Sequence, residues 1–168
     1  DPIVIEVRET HHGPIVSDRS FPINLISEEG ESTFREEARI DLPDNFAVSL
    51  SWSALIPGET FVGIREFNYA SNWEEFREAT KKFHVPAQNL LYADRDGNIG
   101  YQSPGKLPIR RDGLHGDLPI EGWLSENDWQ GFVDFEELPY TLNPSSGYII
   151  TANQSVHPDQ PWPNYYAR

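Results

Sequence analysis

Residues 89–102 read Asn89-Leu90-Leu91-Tyr92-Ala93-Asp94-Arg95-Asp96-Gly97-Asn98-Ile99-Gly100-Tyr101-Gln102. Two short apolar runs flank an Asp-Gly turn signal, and that combination predicts an antiparallel hairpin turning at Arg95–Asn98. Asp94 to Asn98 also has a superficial likeness to a calcium loop. An EF-hand loop needs Gly at its sixth position and Glu at its twelfth. Gly97 is only the fourth residue from Asp94, and the twelfth is Gly105, so the hairpin is the better reading.

The segment just upstream has helical periodicity. Trp73, Phe76, Ala79, Thr80 and Phe83 fall on one stripe, which predicts a helix over residues 72–83. Ser71 is placed to cap it, with Glu74 completing a capping box, and Pro86 ends it. Acidic residues lead and lysines trail, as the helix dipole favours. Further upstream, Ile3, Ile5 and Val7 alternate like a strand that His11-His12-Gly13-Pro14 breaks, and Ile15-Val16 resumes it. Residues 18–46 are polar and turn-rich, with an Arg39-Ile40-Asp41-Leu42 stretch ending at Pro43. Phe46 to Trp52 reads as a strand with one buried face, whereas Phe61 to Phe67 is weakly apolar and ambiguous. Downstream, residues 103–146 read as long loops with short strands, and Gly147 to Asn153 as a final strand. The expectation is an α+β fold, mostly antiparallel β with one helix, in a single domain spanning 1–168.

Bulk properties exclude several functions. Acidic residues outnumber basic ones 27 to 13, a net charge of −14, which opposes binding to nucleic acid or to an anionic membrane. Without Cys there is no disulfide framework, zinc-thiolate site or cysteine nucleophile. No run approaches the ~18 apolar residues of a membrane-spanning helix. The opening residues already alternate like a strand and the last ones show no closing element, so both ends read as cut from something longer.

The candidate chemistry is sparse. His11-His12 offers metal ligands or a base, but neighbours on an extended chain point to opposite faces, which favours a structural role before the Gly-Pro turn. No Ser sits in a Gly-x-Ser-x-Gly elbow. Trp52, Trp123, Trp129 and Trp162 are suited to lining a pocket, though packing is the plainer use of each. Asn153 ends an apolar strand pattern, where a side-chain amide either caps a turn or donates to a developing oxyanion. Of the two, the turn cap is the plainer use.

Three blocks carry a resemblance. They are Thr10-His11-His12-Gly13-Pro14-Ile15; the stretch from Ser51-Trp52 through Asn72-Trp73-Glu74-Glu75-Phe76 to Tyr101; and Leu118 to Trp123 with Phe135 to Pro139 and Asn143-Pro144-Ser145-Ser146-Gly147-Tyr148-Ile149-Ile150-Thr151-Ala152-Asn153. In order and spacing, over about residues 4–156, the chain resembles the β-chain of the penicillin acylase (penicillin amidase) family. The resemblance implies part of an αββα N-terminal-nucleophile hydrolase sandwich. In such enzymes a precursor cuts itself, and the new N-terminal Ser attacks an amide with its own α-amine as base. It further implies Asn153 as the oxyanion donor and Trp52 and Gln88 as acyl-pocket residues. Gln88 is polar where a purely aryl-accepting pocket favours an apolar side chain, which weighs against a phenylacetyl-type acyl group. Residue 1 is Asp and not Ser, Thr or Cys, so the nucleophile is expected in a part of the parent outside this chain.

The implied partners are a small-molecule amide substrate, an α-chain and the remainder of the β-chain, with no nucleic acid and no membrane. A periplasmic or extracellular location is implied for the parent. The resemblance also implies calcium in the parent, with the Gly116 carbonyl as one ligand and others outside this chain or near Asp159 to Tyr166. For the chain itself no cofactor and no metal residue is expected. Two rival readings are a peptide- or glycan-binding module, suggested by the Trp and Tyr content of residues 120–166, and a free-standing hydrolase using His11 or His12.

Overall fold

The computed structural model describes residues 7–17, 20–21, 32–33, 46–116 and 118–152. The expected strand at Ile3 to Val7, the Arg39 to Leu42 stretch and Asn153 lie wholly or largely outside these residues. The chain forms two compact units, Asp1–Leu55 and Ile56–Arg168.

In the first unit, β1 (Glu9–Thr10) pairs antiparallel with β2 (Gly13–Pro14), so the His-His-Gly-Pro break is a hairpin turn. Gly13 has φ +138, and a Cβ there would stand 2.2 Å from the Leu50 carbonyl oxygen; only glycine satisfies both constraints. A second short pair joins β3 (Ser20–Phe21) and β4 (Ser32–Thr33). The expected strand from Phe46 to Trp52 is instead extended chain with a single bridge, Ser49 to Ile15, flanked by Val16 N–H to Val48 O at 2.8 Å and Leu50 N–H to Pro14 O at 2.9 Å. Among the described residues its ladder partner is the short Pro14–Val16 segment, and the Val48 N–H donates to the Ser17 hydroxyl at 2.9 Å instead of continuing the ladder.

The second unit holds two helices and a sheet. Helix α1 (Thr60–Phe67) occupies the segment that sequence left ambiguous. Helix α2 (Trp73–Thr80) is the predicted helix with its cap shifted by one residue. Asn72, not Ser71, is the N-cap: its Oδ1 accepts the Glu75 N–H at 2.9 Å, while the Glu75 carboxylate reaches back to the Ser71 N–H at 2.7 Å. The helix ends at Thr80, and Phe83 remains buried just beyond it. The two helices meet at Gly63, where a Cβ would come within 3.0 Å of the Ala79 carbonyl. Lys82 and Glu66 form an ion pair across the same contact.

β5 (Leu90–Ala93), β6 (Ile99–Gln102) and β7 (Tyr140–Leu142) form one antiparallel sheet in that order. The predicted hairpin is present, with Leu91 opposite Tyr101 and Tyr92 opposite Gly100. Asp94 organises its turn: Oδ1 accepts the N–H groups of Asp96 and Asn98, each at 2.9 Å, and Oδ2 accepts from the Asn98 amide at 2.7 Å and Tyr92 OH at 2.9 Å. These donors hold the Asp94 carboxyl below the usual range, the Asn98 amide most of all. The third strand is Tyr140–Leu142 and not the expected Gly147–Asn153. Tyr148 to Ala152 alternates exposed and half-buried like a strand but has no ladder among the described residues. Asn143 terminates β7 at φ +48, a conformation that Asn tolerates. Its Oδ1 accepts the Ile99 N–H at 2.9 Å and its amide donates to Asn98 Oδ1 at 2.7 Å, which joins the Asp-Gly-Asn and Asn-Pro blocks in space.

α2 covers one face of the sheet. Trp73 and Phe76 pack on Tyr92, with ring centroids 5.5 and 5.3 Å away, and Phe67 stacks on Phe83 at 5.9 Å. Burying each such ring contributes on the order of 1.5–3 kcal/mol. A separate small core of Leu107, Val133 and Leu138 closes the 103–138 loops.

The Trp73 ring occupies the space above Gly100, where a Cβ would stand 2.4 Å from it. Gly100→Val, a substitution that strand propensity alone would favour, is therefore expected to lower stability by about 1–3 kcal/mol through overpacking. A urea titration checks this; an unchanged or raised midpoint would show that Trp73 does not set the helix–sheet spacing.

Candidate functional site

Pleat geometry divides the sheet into two faces. Leu90, Tyr92, Gly100, Gln102, Tyr140 and Leu142 share the face under α2, by register. The opposite face carries Leu91, Tyr101 and Thr141, again by register, and Asn89 joins it through its side chain. Tyr101, 7% exposed, donates its OH to Asn89 Oδ1 at 2.6 Å, and Asn89 Nδ2 donates to Thr151 Oγ1 at 2.8 Å. One amide thus ties the sheet to the segment that leads into Asn153.

The chain leading into Asn89 is also held. Thr60 Oγ1 accepts the N–H groups of His84 and Val85, both at 3.1 Å, and donates to the Val85 carbonyl at 3.2 Å. The His84 carbonyl accepts the Lys106 N–H at 2.8 Å, and Gln88 N–H donates to the Pro104 carbonyl at 3.4 Å. Gly105 admits Ala87, whose Cβ would be 2.7 Å from a Cβ at that position. Gln88 consequently presents an exposed side chain from a backbone pinned on both sides.

The other sequence-derived candidates are placed as follows. Gln88 lies in the second unit, directly before Asn89, and Asn153 follows Thr151 by two positions. Trp52 lies in the first unit, is 54% exposed, and its carbonyl accepts the Leu55 N–H at 3.0 Å, opening the 3-10 turn Ser53–Leu55. His11 and His12 stand in the β1–β2 turn with ring centroids 3.7 Å apart. The expectation that they point to opposite faces is corrected here: it assumed extended chain, and a turn brings neighbouring side chains together. Gly116 (φ +79) has the Arg110 guanidinium 3.0 Å from the position of a Cβ. A positive charge so close opposes a dication at that backbone, so Gly116 does not fit the role of a calcium ligand. Sequence reading missed Asn89 and Tyr101; the available signal was a polar residue opening an otherwise apolar strand.

His84 is the perturbed base of this scaffold. Partial burial, and then the nearby Lys106 charge, hold its pKa below 6.5, and Nδ1 accepts the Glu59 N–H at 3.4 Å, a role open only to the neutral ring. Between the folded value and 6.5 the unfolded chain binds the additional proton. The stability His84 contributes is therefore complete above about pH 6.5 and lost as pH falls through the lowered folded value. The His84 ring resonance should titrate with a midpoint below 6.5 in NMR, and His84→Gln should flatten the acid limb of a stability–pH curve there. A midpoint at or above 6.5 would contradict this.

Comparison with known proteins places these observations in a family. The penicillin amidase family model matches residues 1–168. The chain is 33% identical over 155 residues to an acyl-homoserine lactone acylase QuiP of Pseudomonas fluorescens, covering 92% of this chain and 17% of that protein. It is 39% identical over 98 residues to penicillin G acylase of Escherichia coli, covering 58% and 11%. Its fold is similar to the thermostable penicillin G acylase from Alcaligenes faecalis, with a TM-score of 0.69 and 26% identity over 96% of this chain and 25% of that one. The chain thus spans less than a fifth of the length of these curated relatives.

Proposed function

The chain belongs to the penicillin amidase family, and on that premise we propose that it is a segment of the β-chain of an N-acyl amide hydrolase. The family match over residues 1–168 carries this reading. In it, Asn153 is the oxyanion donor, and Trp52 and Gln88 line the acyl pocket. The nucleophile is an N-terminal Ser on a part of the protein outside these residues, and an α-chain and the remainder of the β-chain complete the enzyme. The 168-residue segment alone is inactive.

The chemistry follows from those roles. The Ser hydroxyl oxygen attacks the amide carbonyl carbon while its own α-amine takes the hydroxyl proton. Negative charge gathers on the carbonyl oxygen, where the Asn153 side-chain amide donates a hydrogen bond together with backbone N–H groups. Collapse of the tetrahedral intermediate releases the amine with that proton and leaves an acyl ester on Ser, which water then hydrolyses. Asn153 raises the rate only if its amide is already aimed at the oxyanion position before charge develops.

The names of the relatives refer to acyl-homoserine lactones and penicillins, both N-acyl amides. The exposed polar Gln88 supports an acyl group other than phenylacetyl, because an aryl ring desolvates an unpaired amide there.

Expression of the complete gene product, followed by intact mass and N-terminal sequencing, should give two chains, the longer beginning with Ser, Thr or Cys. A single uncut chain would overturn the reading. In the matured enzyme Asn153→Ala should lower kcat about 100- to 1,000-fold. Gln88→Leu should raise kcat/KM for phenylacetyl amides relative to aliphatic acyl amides by roughly tenfold, the scale of one apolar pocket contact. An unchanged ratio would remove Gln88 from the acyl pocket.

A further inference from the structure

Thr60 opens α1, and its hydroxyl is bound to a different segment of the chain: it accepts the His84 and Val85 N–H groups, both at 3.1 Å, and donates to the Val85 carbonyl at 3.2 Å. We propose that Thr60 is a positioning residue for acyl selection: it fastens the His84–Val85 backbone to α1 and so fixes where Gln88 stands. The proposal rests on the reading of Gln88 as an acyl-pocket residue. Thr60 touches no substrate atom and acts through the chain between the two.

Three observations support this assignment. A hydroxyl has one donor and two acceptor sites, and Thr60 uses all of them on two consecutive residues, which fixes that backbone in direction as well as place. Next, the chain from Val85 to Gln88 is short and stiff. Pro86 has its φ set by the ring, and Ala87 lies against Gly105, where a Cβ would stand 2.7 Å from the Ala87 Cβ. A shift at Val85 therefore passes on to Gln88. Finally, Gln88 has a weak hold of its own: its N–H reaches the Pro104 carbonyl at 3.4 Å, long for such a bond, and its side chain is exposed. Its place is set by the anchors on either side, Val85 on Thr60 and Asn89 in the Tyr101–Asn89–Thr151 relay of 2.6 and 2.8 Å bonds. The His84 carbonyl is also held from the other side by the Lys106 N–H at 2.8 Å, so loss of the Thr60 hydroxyl shifts the loop without detaching it. A misplacement of about 1 Å beside a substrate is enough to change a rate by 100-fold.

The test uses the matured full-length enzyme that carries this segment. The readout is kcat/KM for an N-phenylacetyl amide divided by kcat/KM for an N-octanoyl amide, a ratio from which the amount of folded enzyme cancels. Thr60→Val removes the hydroxyl while preserving shape, and Thr60→Ser retains it. Thr60→Val should raise the ratio about threefold or more, because a released Gln88 withdraws from the aryl ring, and Thr60→Ser should restore the parent value. If Thr60→Val fails to mature, Thr60→Ala, which also lacks the hydroxyl and is the stronger helix former, carries the same expectation. In a Gln88→Leu background, Thr60→Val should shift the ratio no further, because the amide it positions is gone. If Gln88→Leu raises the ratio but Thr60→Val does not, if the two shifts multiply, or if Thr60→Ser shifts it as far as Thr60→Val, the positioning role is wrong and the pocket reading stands. If Gln88→Leu itself leaves the ratio unchanged, the pocket reading fails and this proposal fails with it.

Discussion

The second unit depends on a guanidinium held inside it. Arg77 projects from α2 toward Gln102 of β6, a side chain with no exposed surface, and donates from Nε to its carbonyl oxygen at 3.0 Å. The same guanidinium lies 3.9 Å from the Tyr140 ring centroid of β7 and 5.0 Å from that of Phe135. Its Nη2 is 2.8 Å from the Glu136 carboxylate, an ion pair without the alignment of a hydrogen bond, and that proximity holds the Glu136 carboxyl below the usual range. The Gln102 amide nitrogen then donates to the Pro139 carbonyl at 3.4 Å. Helix, central strand, edge strand and the 135–137 turn therefore converge on one planar cation. Lysine offers no equivalent fork of donors and no flat surface for the rings.

That convergence explains which parts of the fold were legible in the sequence. The hairpin and α2 were, since turn chemistry at Asp94–Asn98 and a 3.6-residue apolar stripe are local signals. α1 was not, because Thr60–Phe67 contains Gly63, poor in a free helix yet required by the close approach of Ala79. β7 was not, because three residues between Pro139 and Asn143 carry little periodicity, and their strand pairing is decided by β6 and by Arg77 beneath Tyr140. The expected Gly147 to Asn153 strand failed in the opposite sense over its described part: the alternation of Tyr148 to Ala152 is real, but alternation specifies facing and not a ladder partner. Phe46 to Trp52 shows the same limit.

The candidate site was legible to a different degree. Its named residues came from motif order, and chemistry alone favoured a turn cap over an oxyanion donor at Asn153. The structure adds what a motif does not encode. The Asn-Pro block is joined to the Asp-Gly-Asn block by Asn143 and Asn98, and the Tyr148–Ala152 segment is joined to the sheet by Asn89. Neither link has a spacing signature, because each spans tens of residues through a single amide. Asparagine serves both because it accepts and donates from one rigid group, and so joins two segments whose backbones are not paired.

The two faces of the sheet consequently carry different duties. The face under α2 is aromatic and closed where the helix lies on β5 and β6, with Trp73 against Gly100 and Arg77 against Gln102, and it sets stability. The opposite face is polar at the Asn89 relay and partly open, Leu91 being 52% exposed. A half-buried amide network on an open face adds little net stability, since water offers the same groups comparable partners. Its consequence is geometric: the Asn89 oxygen accepts from Tyr101 while its nitrogen donates to Thr151, which fixes the orientation of the amide. The Tyr148–Ala152 segment is thus tied to the sheet through an amide hydrogen bond, while the opposite face carries the aromatic packing that holds helix and sheet together.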